Sequence, residues 1–422
     1  MTILHKLARP AYRTVHCVLL AFATLTVSCA GVALAGPIRS VGVLKFVNAD
    51  TLVMADWRAG EIHALHLSTV ASVAPTPFNL KNVSSPIAAA LRTVPDNLRF
   101  EDMAFRPGSE LAYITLSVIR GSGIPRPALV AVDATGKVNV VDLARTPRTS
   151  AQIKDEPAPD EELWHMPEAT YTVTDMVFNA GKLYVAGLSN ATFASTLRVY
   201  DFPFTGDETA TSIEMYHAVH NQIETHAPIR KMTILNLNGE PTLLAAYTCT
   251  PLVTVPLKDL KDGAHVRGKT IGELGWGSMP VSMVSLDYGQ GQMVLLANSH
   301  KAADLLSVAA IAKAAAAPGL TTPIKWPSEP LLGVRSTYIP MPGIAQLDTQ
   351  DDKFLGVLRR DEASGVMELV SLHKGLFLRL SDFVNEYDFE DFKYGPNDPW
   401  RSVHQMLRTE EGFPDLAARA AR

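Results

Sequence analysis

Four residues in one short stretch offer metal chemistry. His217, His220, Glu224 and His226 bring three imidazoles and a carboxylate together within ten residues. Neutral imidazole and carboxylate are usual ligands of Zn, Cu or Fe. On an extended segment alternate side chains share a face, so Glu224 and His226 would project together. His300 lies in a later segment and offers a further nitrogen. The competing expectation is a polar loop whose imidazoles are solvated or bonded to neighbouring strands, because the spacing matches no standard zinc signature.

Other residues point to binding rather than to catalysis. Arg120-Gly121-Ser122-Gly123, followed by Arg126, sets guanidinium groups beside a glycine turn that either cradles an anion or simply closes a hairpin. Asn190 and Cys249 occupy comparable turns farther along. Cys249 reads as a reactive thiol at a loop mouth or as an inert buried one. The chain has neither a Gly-x-Ser-x-Gly elbow nor a His-Glu-x-x-His helix, so no nucleophile or general base stands out.

Short strands must position these groups. From residue 36 to about 380, runs rich in Val, Leu, Thr and Tyr alternate with Gly, Pro, Asp and Asn. One strand pair recurs. Glu101-Asp102-Met103-Ala104-Phe105, then Leu111-Ala112-Tyr113-Ile114, resembles Thr174-Asp175-Met176-Val177-Phe178, then Leu183-Tyr184-Val185. Weaker copies occupy 41–54, 232–246, 281–297 and 344–357. Aligning Leu52, Ala112, Leu183, Leu243, Met293 and Phe354 gives intervals of 60, 71, 60, 50 and 61 residues. Turns opened by Asp and closed by Gly, at 56–60, 133–136 and 361–365, each precede another apolar run.

A repeat of this size with about four strands is a propeller blade. The expected fold is all-β: a β-propeller of six four-stranded blades, with seven as the alternative count. Two β-sandwiches are the competing architecture. The terminal strands are expected to meet in one blade and so remove the open edges. In such a ring, loops after second strands and loops between blades emerge on one axial face. Arg120, Asn190, Cys249 and His300 follow second strands, and the segment 217–226 joins two blades. All of them are therefore expected on that face, as a place where loops on a rigid scaffold bind ligands.

The hairpin Asp133-Ala134-Thr135-Gly136-Lys137-Val138 and the run Leu183-Tyr184-Val185-Ala186-Gly187 resemble blades of secreted bacterial propellers. That superfamily includes the β-chain of quinoprotein amine dehydrogenase. The resemblance implies the fold and a surface or periplasmic setting, accessory to a redox system. Blade motifs serve many functions, so it assigns no site residue.

Composition sets the remaining bounds. The chain has 422 residues, 47% hydrophobic and 19% charged, which excludes a disordered or polytopic membrane protein. Lys6, Arg9 and Arg13 precede an apolar stretch from Cys17 to Leu34, and Ala33-Leu34-Ala35 offers a cleavage site before Gly36. Residues 1–35 thus read as a bacterial Sec-type signal peptide, with an uncleaved anchor or a lipid-modified Cys29 as alternatives. Cleavage leaves 35 basic against 43 acidic residues, a net charge of −8, and a single cysteine, Cys249. This excludes an internal disulfide, a c-type haem and a nucleic-acid footprint. Beyond 36–380, residues 381–422 form an extension rich in acidic and aromatic residues, read as a tail packed over the last blade or as a calcium-binding or docking arm.

The expected function is that of a periplasmic or secreted propeller, with no transmembrane helix once the leader is cleaved. It would bind a partner protein or a small-molecule ligand at its axial loop face. The alternative is a metal-dependent oxidoreductase or hydrolase built on the His/Glu cluster. Intact-mass analysis of the exported protein should place its first residue at Gly36, and a product retaining residues 1–35 would refute the leader.

Overall fold

Alternating apolar runs build six antiparallel sheets, arranged as the blades of a β-propeller. The computed structural model describes residues 36–374 except 75, 164, 250, 276–277, 288–290, 326–327, 330, 342 and 362, and adds Leu378 and Pro396. The segment 1–35 and, apart from Pro396, the extension 381–422 lie outside the described residues.

We letter the blades A to F by the chain order of their innermost strands. These are Leu44–Asn48, Leu98–Phe105, Asp175–Asn179, Ile229–Leu237, Pro280–Asp287 and Ile344–Thr349. The six aligned positions Leu52, Ala112, Leu183, Leu243, Met293 and Phe354 all fall in second strands, one per blade. Those strands are buried nearly throughout because a neighbouring blade covers each face. Six apolar clusters result, one between each pair of adjacent blades. The predicted Asp turns form as well. Asp133 Oδ1 accepts from the backbone N–H groups of Thr135 and Lys137 at 2.9 and 3.0 Å.

The order of blades around the axis departs from the chain order. Contacts between inner strands run B, A, C, D, E, F and back to B. After the third strand of blade A, Glu61–His66, the chain leaves without adding a fourth. It first pairs Asn79–Leu80 with Met367–His373 and so completes blade F. The helix Ser84–Ala90 then packs Ile87 into the core between blades B and F. The chain builds all four strands of blade B and only then returns, as Arg148–Gln152, to complete blade A. Closure therefore differs from the expectation. The first strand stays in its own blade, and an internal segment of two paired residues completes the last one.

Innermost strands have no ladder on their axial side, so their backbone groups need other partners. Among the described residues, side chains of the next blade provide them at four junctions. Asp102 accepts from Leu44 N–H at 2.8 Å, and Asp175 from Met232 N–H at 2.7 Å. Ser282 Oγ accepts from Leu347 N–H at 2.9 Å, and Asp348 from Phe105 N–H at 2.9 Å. At the junction of F and B the ring of Phe105 fills the place where a Cβ on Gly356 would stand, so only glycine fits.

Two buried arginines tie down the crossing segments. Arg106 of blade B donates to Ala49 O, Ser68 O and the Asp50 carboxylate at 2.6, 2.8 and 2.7 Å. Arg198 of blade C donates to Asp155 Oδ1, Thr172 O and Leu188 O at 2.6, 3.0 and 2.7 Å. Each guanidinium is a charge out of water whose donors are met by several acceptors.

The interleaving can be tested by cross-linking. Glu61 and Gln152 face each other across the strands that complete blade A. In a Cys249→Ser background, Glu61→Cys with Gln152→Cys should oxidise spontaneously. The bond would close a loop of roughly 90 residues, which chain entropy values at up to about 4.6 kcal/mol. Failure to form the disulfide in folded protein would refute the return of residues 148–152 to blade A.

Candidate functional site

Four innermost strands carry a bulge at the same place: the pairing skips Glu101, Arg230, Val281 and Ala345. A bulge re-aims one side chain out of the ladder. All four residues line a cavity of about 460 Å³ at the mouth of the axial channel. The mouth also holds Arg58, Arg99 and Lys231, with Trp57 and Tyr171 as aromatic walls. Behind it, the six inner strands enclose a channel cavity of about 280 Å³ that includes Lys45, Asp102, Asp175 and Lys231.

The charges at the mouth are unevenly matched. Arg99 pairs with Glu101 at 2.7 Å and Lys231 with Asp175 at 3.4 Å. Among the described residues no carboxylate lies within ion-pair distance of Arg230 or Arg58. Instead Arg230 sits over the Tyr171 ring at 5.5 Å and Arg58 over Trp57 at 4.9 Å. Arg230 Nε is buried with no hydrogen-bond partner. Burial pulls the Arg230 guanidinium below its ordinary pKa, opposed by Tyr171 and Asp175. Burial likewise raises the Asp102 carboxyl to about 6, against the pull of Lys231 and the Leu44 N–H.

A second arrangement lies at the outer edge of blade C. Its fourth strand, Glu208–His217, turns back into Gln222–Glu224, with His220 in the turn. Glu224 Oε1 accepts from His217 Nδ1 at 2.9 Å and also pairs with His220 Nδ1. Ligand atoms of His217, His220 and Glu224 all lie within 4.8 Å of one another. Burial alone would lower the His217 pKa, but the neighbouring Cys249 thiol and Glu224 carboxylate push it up to about 9. Burial would raise Glu224, yet its bonds to His217 and His220 hold it near 2.

The remaining predicted residues go elsewhere. His226 lies beyond the short strand Gln222–Glu224, and its Nε2 bonds to Glu168 at 2.6 Å, so alternation does not carry it to Glu224. His300 is engaged locally, with Nδ1 at 2.5 Å from Ser299 Oγ. Arg120 and Arg126 donate to Arg92 O and Leu91 O at 2.7 and 3.4 Å. They serve carbonyls just past a helix C-terminus, where cations are favoured. The backbone N–H of Asn190 donates to Asp155 O at 2.9 Å. Cys249 adopts φ = 78°, a strained left-handed conformation for a non-glycine residue, beside His217. Arg120, Asn190, Cys249 and His300 each follow a second strand, but the hydrogen bonds of the first two and of His300 are local to their own surroundings.

Sequence reasoning missed Arg230, Tyr171 and Arg99. The one available signal was alignment of Arg230 with Glu101, Val281 and Ala345 in the repeat, a column whose exposure depends on the bulge. The six-bladed ring fits the propeller class. The sequence matches no protein-family model and no curated protein.

The buried Asp102 gives the site a measurable pH signature. A folded pKa of about 6 against 3.8 unfolded means that the native state holds the proton more tightly. Its contribution therefore falls as pH rises from 3.8 towards 6 and is constant above, a change of up to about 3 kcal/mol. Asp102→Asn keeps an acceptor for Leu44 without the charge. Chemical denaturation should show its stability advantage over wild type growing across that window and flat beyond it; a difference independent of pH would contradict the assignment.

Proposed function

We propose that the protein is an exported binding propeller that takes a small carboxylate, or an anion of similar shape, at the mouth of its axial channel. One observation carries this reading: Arg230, placed by a bulge in the mouth, has a buried Nε without a partner and no carboxylate within ion-pair distance. A guanidinium presents a planar fork that matches a carboxylate, and it binds most strongly where water is excluded. Arg58 adds a second cation without a paired carboxylate. Trp57, Tyr171, Val43 and Val281 line the same cavity and suit a ligand with an apolar or aromatic body. A volume of about 460 Å³ lies within the range of small-ligand sites. The leader pattern of residues 1–35 supports a periplasmic or secreted setting.

Thermal-shift screening against carboxylic acids and their matched neutral amides tests the proposal. Stabilisation should come from acids and should vanish in Arg230→Gln. For a confirmed acid, loss of the charged hydrogen bonds should weaken binding by about 1.5–3 kcal/mol, roughly ten- to a hundredfold. Hits divided equally between acids and amides, or binding unaffected by Arg230→Gln, would overturn it.

A further inference from the structure

The hairpin of blade C carries a separate site, independent of the anion reading. We propose that His217, His220 and Glu224 form a three-ligand centre for a borderline divalent cation, with Zn²⁺ the ion their chemistry fits. His217 is the final residue of a strand and is fixed by burial, with 1% of its side chain exposed. Glu224 lies on the returning strand, and the register Met215↔Glu224 and His217↔Gln222 holds it beside His217. His220 sits in the intervening turn, with its ring centroid 4.1 Å from that of His217.

The donor set decides the ion. Two imidazoles and one carboxylate are a common three-ligand set for zinc, which leaves a fourth position for water or substrate. Hard ions such as Ca²⁺ or Mg²⁺ require more oxygen donors than the cluster supplies. Tetrahedral zinc with bonds of about 2.0–2.2 Å needs ligand atoms about 3.4 Å apart. Ligand atoms already gathered within 4.8 Å need only small shifts, with Glu224 Oε1 moving away from the His217 Nδ1 it now meets at 2.9 Å.

Exposure supports the same assignment. His220 is 49% exposed, so the open coordination position faces solvent, while the other two ligands are held by the sheet. Cys249 lies beside His217 but outside the cluster of converging ligand atoms, and the His217 Nε2 is buried without a hydrogen bond of ordinary geometry. The thiol is thus placed to influence a ligand ring rather than to bind the ion. His226 and His300 have no part in the centre, since Glu168 and Ser299 hold them.

The experiment uses untagged mature protein stripped with a chelator and dialysed, then titrated with Zn²⁺ by calorimetry and with Co²⁺ by visible absorption. One equivalent should bind, and Co²⁺ should give the intense d–d bands of a four-coordinate site. His220→Gln and Glu224→Gln should each weaken Zn²⁺ binding at least a hundredfold, while His226→Gln and His300→Gln leave it unchanged. Cys249→Ser should retain the metal and the d–d bands. Melting temperature and far-UV circular dichroism report separately that each variant is folded. Undiminished affinity in His220→Gln and Glu224→Gln, or no binding at micromolar Zn²⁺ by folded wild-type protein, would overturn the proposal.

Discussion

The axial edge of each innermost strand is the constraint on which the architecture turns. A propeller places these strands around a channel, where their outward backbone groups have no neighbouring ladder. The chain answers with a side-chain acceptor on one blade for an N–H on the next, as between Asp102 and Leu44 or Asp175 and Met232. Because such bonds are short and directional, they fix how adjacent blades are offset along the axis. The offset in turn brings the bulged residues to one level, where Arg230 and Glu101 reach the mouth. Binding geometry here follows from the way backbone groups at the axis are satisfied.

The interior is divided rather than continuous. Six apolar clusters lie between blades, and each draws residues from two sheets. A blade therefore has no core of its own, and its stability depends on both neighbours. The buried guanidinium groups of Arg106 and Arg198 add specificity to this arrangement, since each satisfies acceptors from separate segments. Replacing such a group would leave carbonyls and a carboxylate unmet, a heavier loss than one missing contact.

Strands within a blade were legible because continuous apolar runs and Asp-Gly turns are local signals. Asp133 and the aligned second-strand positions illustrate this directly. Blade order was not legible, since it depends on which apolar faces meet across the ring. Asn79–Leu80, a pair of partly buried residues, carries almost no periodicity of its own. For the candidate sites, composition drew attention to His217, His220 and Glu224, whose separation of a few residues suits a hairpin. It gave too much weight to His226, because alternation was extended past the end of a three-residue strand, where His226 turns to Glu168. Arg230 escaped notice because an arginine on an inner strand looks ordinary until a bulge turns it towards the channel.

The interleaved path also imposes a timetable on biosynthesis. Phe78 must wait for Ser371, 293 positions later, before its backbone N–H finds the hydroxyl that receives it. At ribosomal speeds of about 5–20 residues per second, that interval lasts roughly 15–60 s. Throughout it, Phe78 and Ile87 lack the surface of blade F against which they are finally buried. The nascent chain thus carries an adhesive apolar segment for most of its synthesis, a natural point for a chaperone to hold it.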